Sequence, residues 1–192
     1  MTAHHRFRSL LRDYPILAVV YGEEPLSAFI ASSSRVAFVG NVDLFTLKDV
    51  AGRISANGKL VVVNIDMVPG LKADEVGIDY LTSIGVRAVA TKDAELIPLI
   101  NNAGSLSFLK SYLTNRSNLA DIAEQIRRTE ADVVQVQPAP ILDVLTQPEL
   151  ASLNEFIAAG FIQTADDARR ALDHGAFAVS TRSEDLWSGF SR

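Results

Sequence analysis

The stretch Glu155–Arg182, EFIAAGFIQTADDARRALDHGAFAVSTR, decides the fold. Two short apolar runs, Glu155–Ala159 and Ala176–Thr181, flank a polar segment, Thr164–Asp173. Thr164 is a helix-capping residue with an acid, Asp167, three residues on, a spacing that lets the two satisfy each other's free backbone N–H groups. His174-Gly175 is a stop signal, because glycine takes the left-handed conformation that ends helices. The segment therefore predicts strand, helix, strand. Apolar residues on consecutive positions imply strands covered on both faces, as in a parallel sheet.

The same rhythm runs back to the start of the chain. Further strand-like runs are Ile16–Tyr21, Arg35–Val39, Leu60–Ile65, Val86–Thr91, Ser107–Leu113 and Asp132–Val136. Helical spacing marks Leu44–Ala56, Asp74–Ile84 and Asn118–Arg128; in the last, Leu119, Ile122, Ala123 and Ile126 fall on one stripe. Eight strands in 192 residues leave about 24 residues per strand–helix unit. That predicts an α/β protein with a small parallel (β/α)8 TIM-type barrel, in which some units keep only a turn of helix. The sixth unit is the leanest, since Pro138-Ala139-Pro140 leaves only Ile141–Leu145 for a helix. The competing architecture is an open doubly wound sheet of fewer strands. By length, residues 1–192 make a single barrel domain, with 1–13 a mobile or helical N-terminal extension.

Composition narrows the function. Apolar residues make up 48% and charged residues 21%, the balance of an ordinary globular protein. A net charge of -5 argues against a broad nucleic-acid face, because phosphates favour basic stripes. Without cysteine there is no disulfide, thiol nucleophile or Cys–metal site. His4, His5 and His174 do not suggest a metal centre, and no cofactor is expected. No apolar run approaches the roughly 20 residues that span a bilayer, so the expectation is a cytoplasmic protein with no membrane partner. Self-association as a homo-oligomer is compatible with the sequence.

In a parallel barrel, function gathers where strands end and loops begin. Asp66 follows the third run; its carboxylate can hold a hydroxyl, a metal or a proton, or can cap the following turn. Lys92, after the fourth run, pairs with a ligand phosphate or is a solvated charge at a helix start. Arg116 is an anion candidate in the fifth loop. Alternation puts Gln135 and Gln137 on one face, where amides can bind a polyol. Gly160 in the seventh loop permits close backbone approach. Ser180, Thr181 and Arg182 end the eighth strand with two hydroxyls and a guanidinium. The loops after strands seven and eight are the usual phosphate seat of a barrel, aided by a helix N-terminus. No Ser/His pair, carboxylate pair or catalytic lysine inside a strand stands out, so a sensor fits as readily as an enzyme.

Asp66-Met67-Val68-Pro69-Gly70-Leu71-Lys72-Ala73-Asp74-Glu75-Val76-Gly77 resembles the Asp-Leu-Ile-x-Gly-Leu-x-x-Asp-Glu segment of the glycerol uptake operon antiterminator regulatory proteins. The ending is also similar to theirs, from Ala159-Gly160-Phe161-Ile162 through Ala171-Leu172, Gly175-Ala176 and Ala178-Val179-Ser180-Thr181 to Leu186-Trp187. Ala131-Asp132 to Pro140 resembles a third family segment, Pro-Asp-x-x-Glu-x-Leu-Pro-Gly. In order, the similarity runs from about Tyr14 to Trp187. Asn64 stands where the family has histidine, Gln135 where it has an acid, Ala159 where it has glycine, and Lys92-Asp93 where it has Arg-Ser. Likewise Ala139 replaces a glycine and Arg182 a small residue. The resemblance implies a small barrel that responds to glycerol-3-phosphate or a similar phosphate ester and binds leader mRNA to prevent early transcription termination. It places the phosphate at Gly160, Ser180 and Thr181, with Asp66 near the glycerol end. For RNA contact the basic groups are Arg6, Arg8 and Arg12, Arg127 and Arg128, or Arg169 and Arg170. The alternative is a barrel lyase, isomerase or phosphodiesterase with Asp66 and Lys92 as acid and base.

Overall fold

A computed structural model describes residues 3–153 and 155–191. Its elements run α1 Ala3–Asp13, β1 Ile16–Tyr21, α2 Leu26–Ala31, β2 Val36–Gly40, α3 Leu44–Ala56, β3 Leu60–Asn64, α4 Glu75–Ser83, β4 Ala88–Thr91, α5 Ile97–Asn102 and β5 Leu106–Tyr112. They continue α6 Leu119–Thr129, β6 Val133–Gln137, α7 Gln147–Ala151, β7 Phe156–Ala159, α8 Ala165–Asp173, β8 Ala178–Thr181 and α9 Glu184–Gly189. The strands are all parallel, and each pairs with its sequence neighbour. β8 returns to β1 with Leu17 opposite Ser180, closing an eight-stranded barrel. Closure excludes the open doubly wound sheet and leaves no edge strand unpaired.

Each strand falls within two residues of its predicted span. The predicted helices at Leu44–Ala56, Asp74–Ile84, Asn118–Arg128 and Thr164–Asp173 are α3, α4, α6 and α8. The sixth unit departs from expectation. Ala139–Val144 is a 3₁₀ turn, and the helix α7 begins after it. The short helices α2, α5, α7 and α9 have five or six residues each, less than two turns, so they show no readable period. Asn154, just before the stretch that decides the fold, lies outside the described residues.

Two apolar layers follow from strand alternation. Ile16, Ala18 and Val20 of β1 face the helices, while Leu17 and Val19 face the barrel interior. Phe38, Val62, Phe108, Val133, Ile157 and Ala178 share that interior. From below it is sealed by α1. The apolar pair Phe7 and Leu11 is four residues apart, so both side chains lie on one face, and both are fully buried against the interior set. The Phe7 ring meets Phe108 edge-on at 5.1 Å and Phe177 at 6.0 Å. The N-terminal extension is thus a helical plug, held also by an Arg8–Glu155 ion pair. With the lower end filled, the interior opens at the ends of the strands. Among the described residues no helix is long and apolar enough to cross a membrane.

Candidate functional site at the barrel mouth

Climbing each strand by two from the packed interior leads to the mouth. Leu17 and Val19 lead to Tyr21, Phe108 to Lys110 and Tyr112, Val133 to Gln135 and Gln137, Ile157 to Ala159, and Ala178 to Ser180. The apolar layers thus give way to a polar one. These side chains surround a cavity of about 670 Å3, closed further by Met67, the Gly160–Gln163 loop and Thr181–Ser183. That volume lies within the range of small-molecule sites. Its charged lining residues are Lys110 and Arg182; among the described residues no Asp or Glu lines it.

The polar lining is unusually short of internal partners. Among the described residues neither Gln137 Nε2 nor Ser180 Oγ has a hydrogen-bond partner, and both atoms are buried. Buried polar groups ordinarily find one, since leaving them bare costs about 1–3 kcal/mol. The Arg182 guanidinium lies 5.6 Å from the centre of the Tyr21 ring, and Lys110 Nζ lies 5.7 Å from that of Tyr112. Burial pushes the Tyr21 phenol above its ordinary pKa; Tyr112 adds to the rise and Arg182 opposes it. Tyr21 is therefore a protonated donor at neutral pH.

The loop after β7 has its own backbone shape. Gly160 (φ +79°) and Phe161 (φ +60°) are consecutive left-handed residues, and the Phe161 ring is exposed at the rim. Glycine adopts this conformation freely. The Gly160 carbonyl accepts from Ala139 N at 3.3 Å, and among the described residues neither the Gly160 N–H nor that of Phe161 donates to a loop or turn carbonyl. By contrast, the α8 N-terminus is already filled. Asp167 accepts from the backbone of Gln163 and Thr164, and Thr164 Oγ1 accepts from Asp167 N at 3.2 Å. The predicted Thr164–Asp167 cap is present, and it occupies the helix end that was expected to hold an anion.

Of the residues singled out in the sequence, Gln137, Gly160, Ser180, Thr181 and Arg182 line the cavity, whereas Asp66 and Lys92 do not. Asp66 Oδ1 accepts from Thr91 Oγ1 and Oδ2 from Lys92 N, each at 2.8 Å, so its carboxylate ties the end of β3 to the end of β4. The Lys92 side chain is exposed. The Thr181 hydroxyl donates to the Ile162 carbonyl and accepts from Ser183 N, joining the β7 and β8 loops. Arg116 pairs with Glu149 at 3.1 Å, away from the cavity.

Neither Lys110 nor Asn64 is among the site residues expected from the sequence. Lys110 is a lysine inside a strand, contrary to the expectation that none stands out, and it points into the cavity. Asn64 is fully buried at the inward end of β3, with neither amide atom bonded among the described residues. A polar residue two positions after an inward apolar one was the available signal for both: Phe108 before Lys110 and Val62 before Asn64.

A cavity of this kind can bind an anion that carries hydroxyls, and similarity to known proteins points the same way. A sequence model described as glycerol-3-phosphate responsive antiterminator matches residues 16–187. YgcP of Escherichia coli (strain K12) is 22% identical over 180 residues, which is 93% of this chain and 94% of that protein. The crystal structure of a glycerol uptake operon antiterminator-related protein from Thermotoga maritima MSB8 superposes with a TM-score of 0.80 at 25% identity, over 91% of this chain and 98% of that one. That of the glycerol uptake operon antiterminator regulatory protein from Listeria monocytogenes str. 4b F2365 gives a TM-score of 0.83 at 23% identity, over 91% and 95%. The family match spans every barrel strand and the loops that build the mouth, and the chain belongs to the glycerol-3-phosphate responsive antiterminator family.

Proposed function

We propose that the mouth binds glycerol-3-phosphate or a similar small phosphate ester and that the protein acts through this ligand as a regulator, without catalysis. The observation that carries this reading is the cavity itself, which among the described residues is cationic, free of carboxylates, and lined by buried polar atoms that lack partners. The phosphate would rest on the Gly160–Phe161 backbone, the Ser180 hydroxyl and Arg182, and the ester's hydroxyls would meet Gln135 and Gln137. Thr181 supports this seat by fixing the Ile162 carbonyl. Calorimetric titration with glycerol-3-phosphate tests it: one-site binding that weakens on Arg182→Ala is expected, and no heat at millimolar ligand from a folded protein would contradict it.

The family description supports an antiterminator, and leader mRNA is the partner we assign to the ligand-bound form. The candidate arginines are largely engaged on the surface: Arg6 with the Gly58 carbonyl, Arg8 with Glu155, Arg127 with Glu124, Arg169 with Asp166 and Arg170 with Asp143. Exposed ion pairs contribute at most about 1 kcal/mol, so RNA phosphates can displace these carboxylates. Filter binding of upstream leader RNA with and without glycerol-3-phosphate is the assay, and ligand-independent absence of retention would remove the RNA role. The enzymatic alternative through Asp66 and Lys92 lacks support from their placement, because both Asp66 oxygens are bonded and neither residue reaches the cavity.

A further inference from the structure

Lys110 carries a charge that the fold does not use. It stands one inward step above Phe108 on β5 and is 8% exposed. A lysine so buried is normally compensated by a carboxylate or by several carbonyls. Lys59 of this chain shows the ordinary solution, donating to the carbonyls of Phe29, Ser32 and Ser34 at 2.6, 2.8 and 2.8 Å. Among the described residues Lys110 Nζ has no hydrogen-bond or ion-pair partner, only the face of the Tyr112 ring, one inward step nearer the mouth. Its partner across the ladder is Gln135, an uncharged amide. A glutamate at that position would stand in register with Lys110 and neutralise it.

The second cation arrives from a different wall. Arg182 follows β8, three places from β5 in the barrel. With the phosphate on the β7–β8 side beside Arg182, Lys110 faces the far end of the ligand. A cavity of about 670 Å3 has room for that second end. Gln137 Nε2, a buried donor without an acceptor, lines the same space. An ammonium and an unused amide N–H together call for an anionic acceptor, since charge-assisted hydrogen bonds are the strong ones.

The geometry points to a ligand with two anionic ends: a small phosphorylated hydroxy acid, its phosphate at Gly160, Ser180 and Arg182 and its carboxylate at Lys110 and Gln137. This inference rests on the phosphate-ester site proposed above and names the ligand class that the site selects. A plain glycerol end offers Lys110 hydroxyls but no charge.

Calorimetric titration of the full chain with 3-phosphoglycerate, glycerol-3-phosphate and inorganic phosphate at one ionic strength tests it. 3-Phosphoglycerate is expected to bind about tenfold or more tightly than glycerol-3-phosphate, the increment of one charge-assisted contact. Lys110→Met should erase that preference while leaving glycerol-3-phosphate affinity within a few fold. Gln135→Glu, which supplies a counter-ion and keeps the lysine, should likewise bring the ratio of the two ester affinities to about one, whatever it does to each, and serves as the second variant if Lys110→Met does not fold. Equal affinity of the two esters for the unmodified chain, a preference that survives both variants, or equal weakening of both esters by Lys110→Met overturns the inference and leaves the phosphate-ester site standing. Absence of binding by either ester from a folded chain overturns both.

Discussion

Glycine to alanine, the replacement of an α-hydrogen by a methyl group, should act with opposite sign at Gly77 and at Gly52. Both glycines lie in helices, Gly77 in the first turn of α4 and Gly52 in α3. Helix propensity alone favours alanine over glycine by about 1 kcal/mol at either place. The surroundings differ. A Cβ on Gly77 would fall 2.0 Å from the Lys72 carbonyl oxygen and 3.3 Å from Ile65 Cδ1, whereas one on Gly52 would meet nothing within 4 Å. An ordinary carbon–oxygen contact is about 3.3 Å or more, so the loop carrying Lys72 must retreat by about 1.3 Å. That loop holds the α4 cap: Asp74 N donates to Lys72 O at 3.1 Å, and Asp74 Oδ1 accepts from Gly77 N at 3.0 Å. Overpacking costs about 1–3 kcal/mol and a lost cap about 1 kcal/mol. Less the propensity gain, Gly77→Ala should destabilise by about 1–3 kcal/mol. For a chain of this size that lowers Tm by about 2–12 °C, while Gly52→Ala raises it by about 2–4 °C. Thermal melts followed by circular dichroism decide the matter. Equal stabilisation by both substitutions would refute the close-approach account of the Asp74–Gly77 segment.

Three further predictions concern the scaffold. Phe7→Ala empties the plug beneath the barrel and should cost about 3–5 kcal/mol in a urea titration, with a loss under 1 kcal/mol contradicting the plug. Lys59→Met strips a donor from three carbonyls and should cost about 2–3 kcal/mol at pH 7. Burial, with Arg35 adding to it, brings the Lys59 ammonium down to about 8. The folded state thus sheds this proton before the unfolded state does, so the wild type should gain stability relative to Lys59→Met as pH rises from 8 towards the ordinary lysine value. A flat difference across that window would show that the carbonyls hold the ammonium charged. The Asp167 carboxylate lies below its ordinary pKa because the Thr164 hydroxyl, then the Thr164 and Gln163 N–H groups, bond to it. That stabilisation is present above the unfolded pKa and is lost as pH falls through the folded one. Asp167→Ala should therefore cost about 1 kcal/mol at pH 7 and progressively less in acid, and a pH-independent difference would count against the cap.

The strands were legible because covered strands leave consecutive apolar residues such as Val61, Val62 and Val63, which little else produces. The long helices showed their stripes, as α6 does with Leu119, Ile122, Ala123 and Ile126. Helices of five or six residues have no second turn in which to repeat a pattern, so α2 and α9 stayed hidden. At the mouth, the Gly160 and Ser180 loops were found from their order along the chain. Lys110 was missed because a run covered on both faces hides which positions point inward, and only the register with Gln135 settles that parity. Asp66 sits at a strand end as expected, yet its two oxygens bridge to Thr91 and Lys92, a link between strands that no local pattern announces.

The central claim is that a phosphate ester seats between the Gly160 loop and the end of β8. A crystal structure of the protein grown with glycerol-3-phosphate measures this directly. The account predicts tetrahedral phosphate density within hydrogen-bonding distance of the Gly160–Phe161 backbone, Ser180 Oγ and the Arg182 guanidinium. An ordered ligand elsewhere on the barrel, with this cavity holding only water, would contradict it.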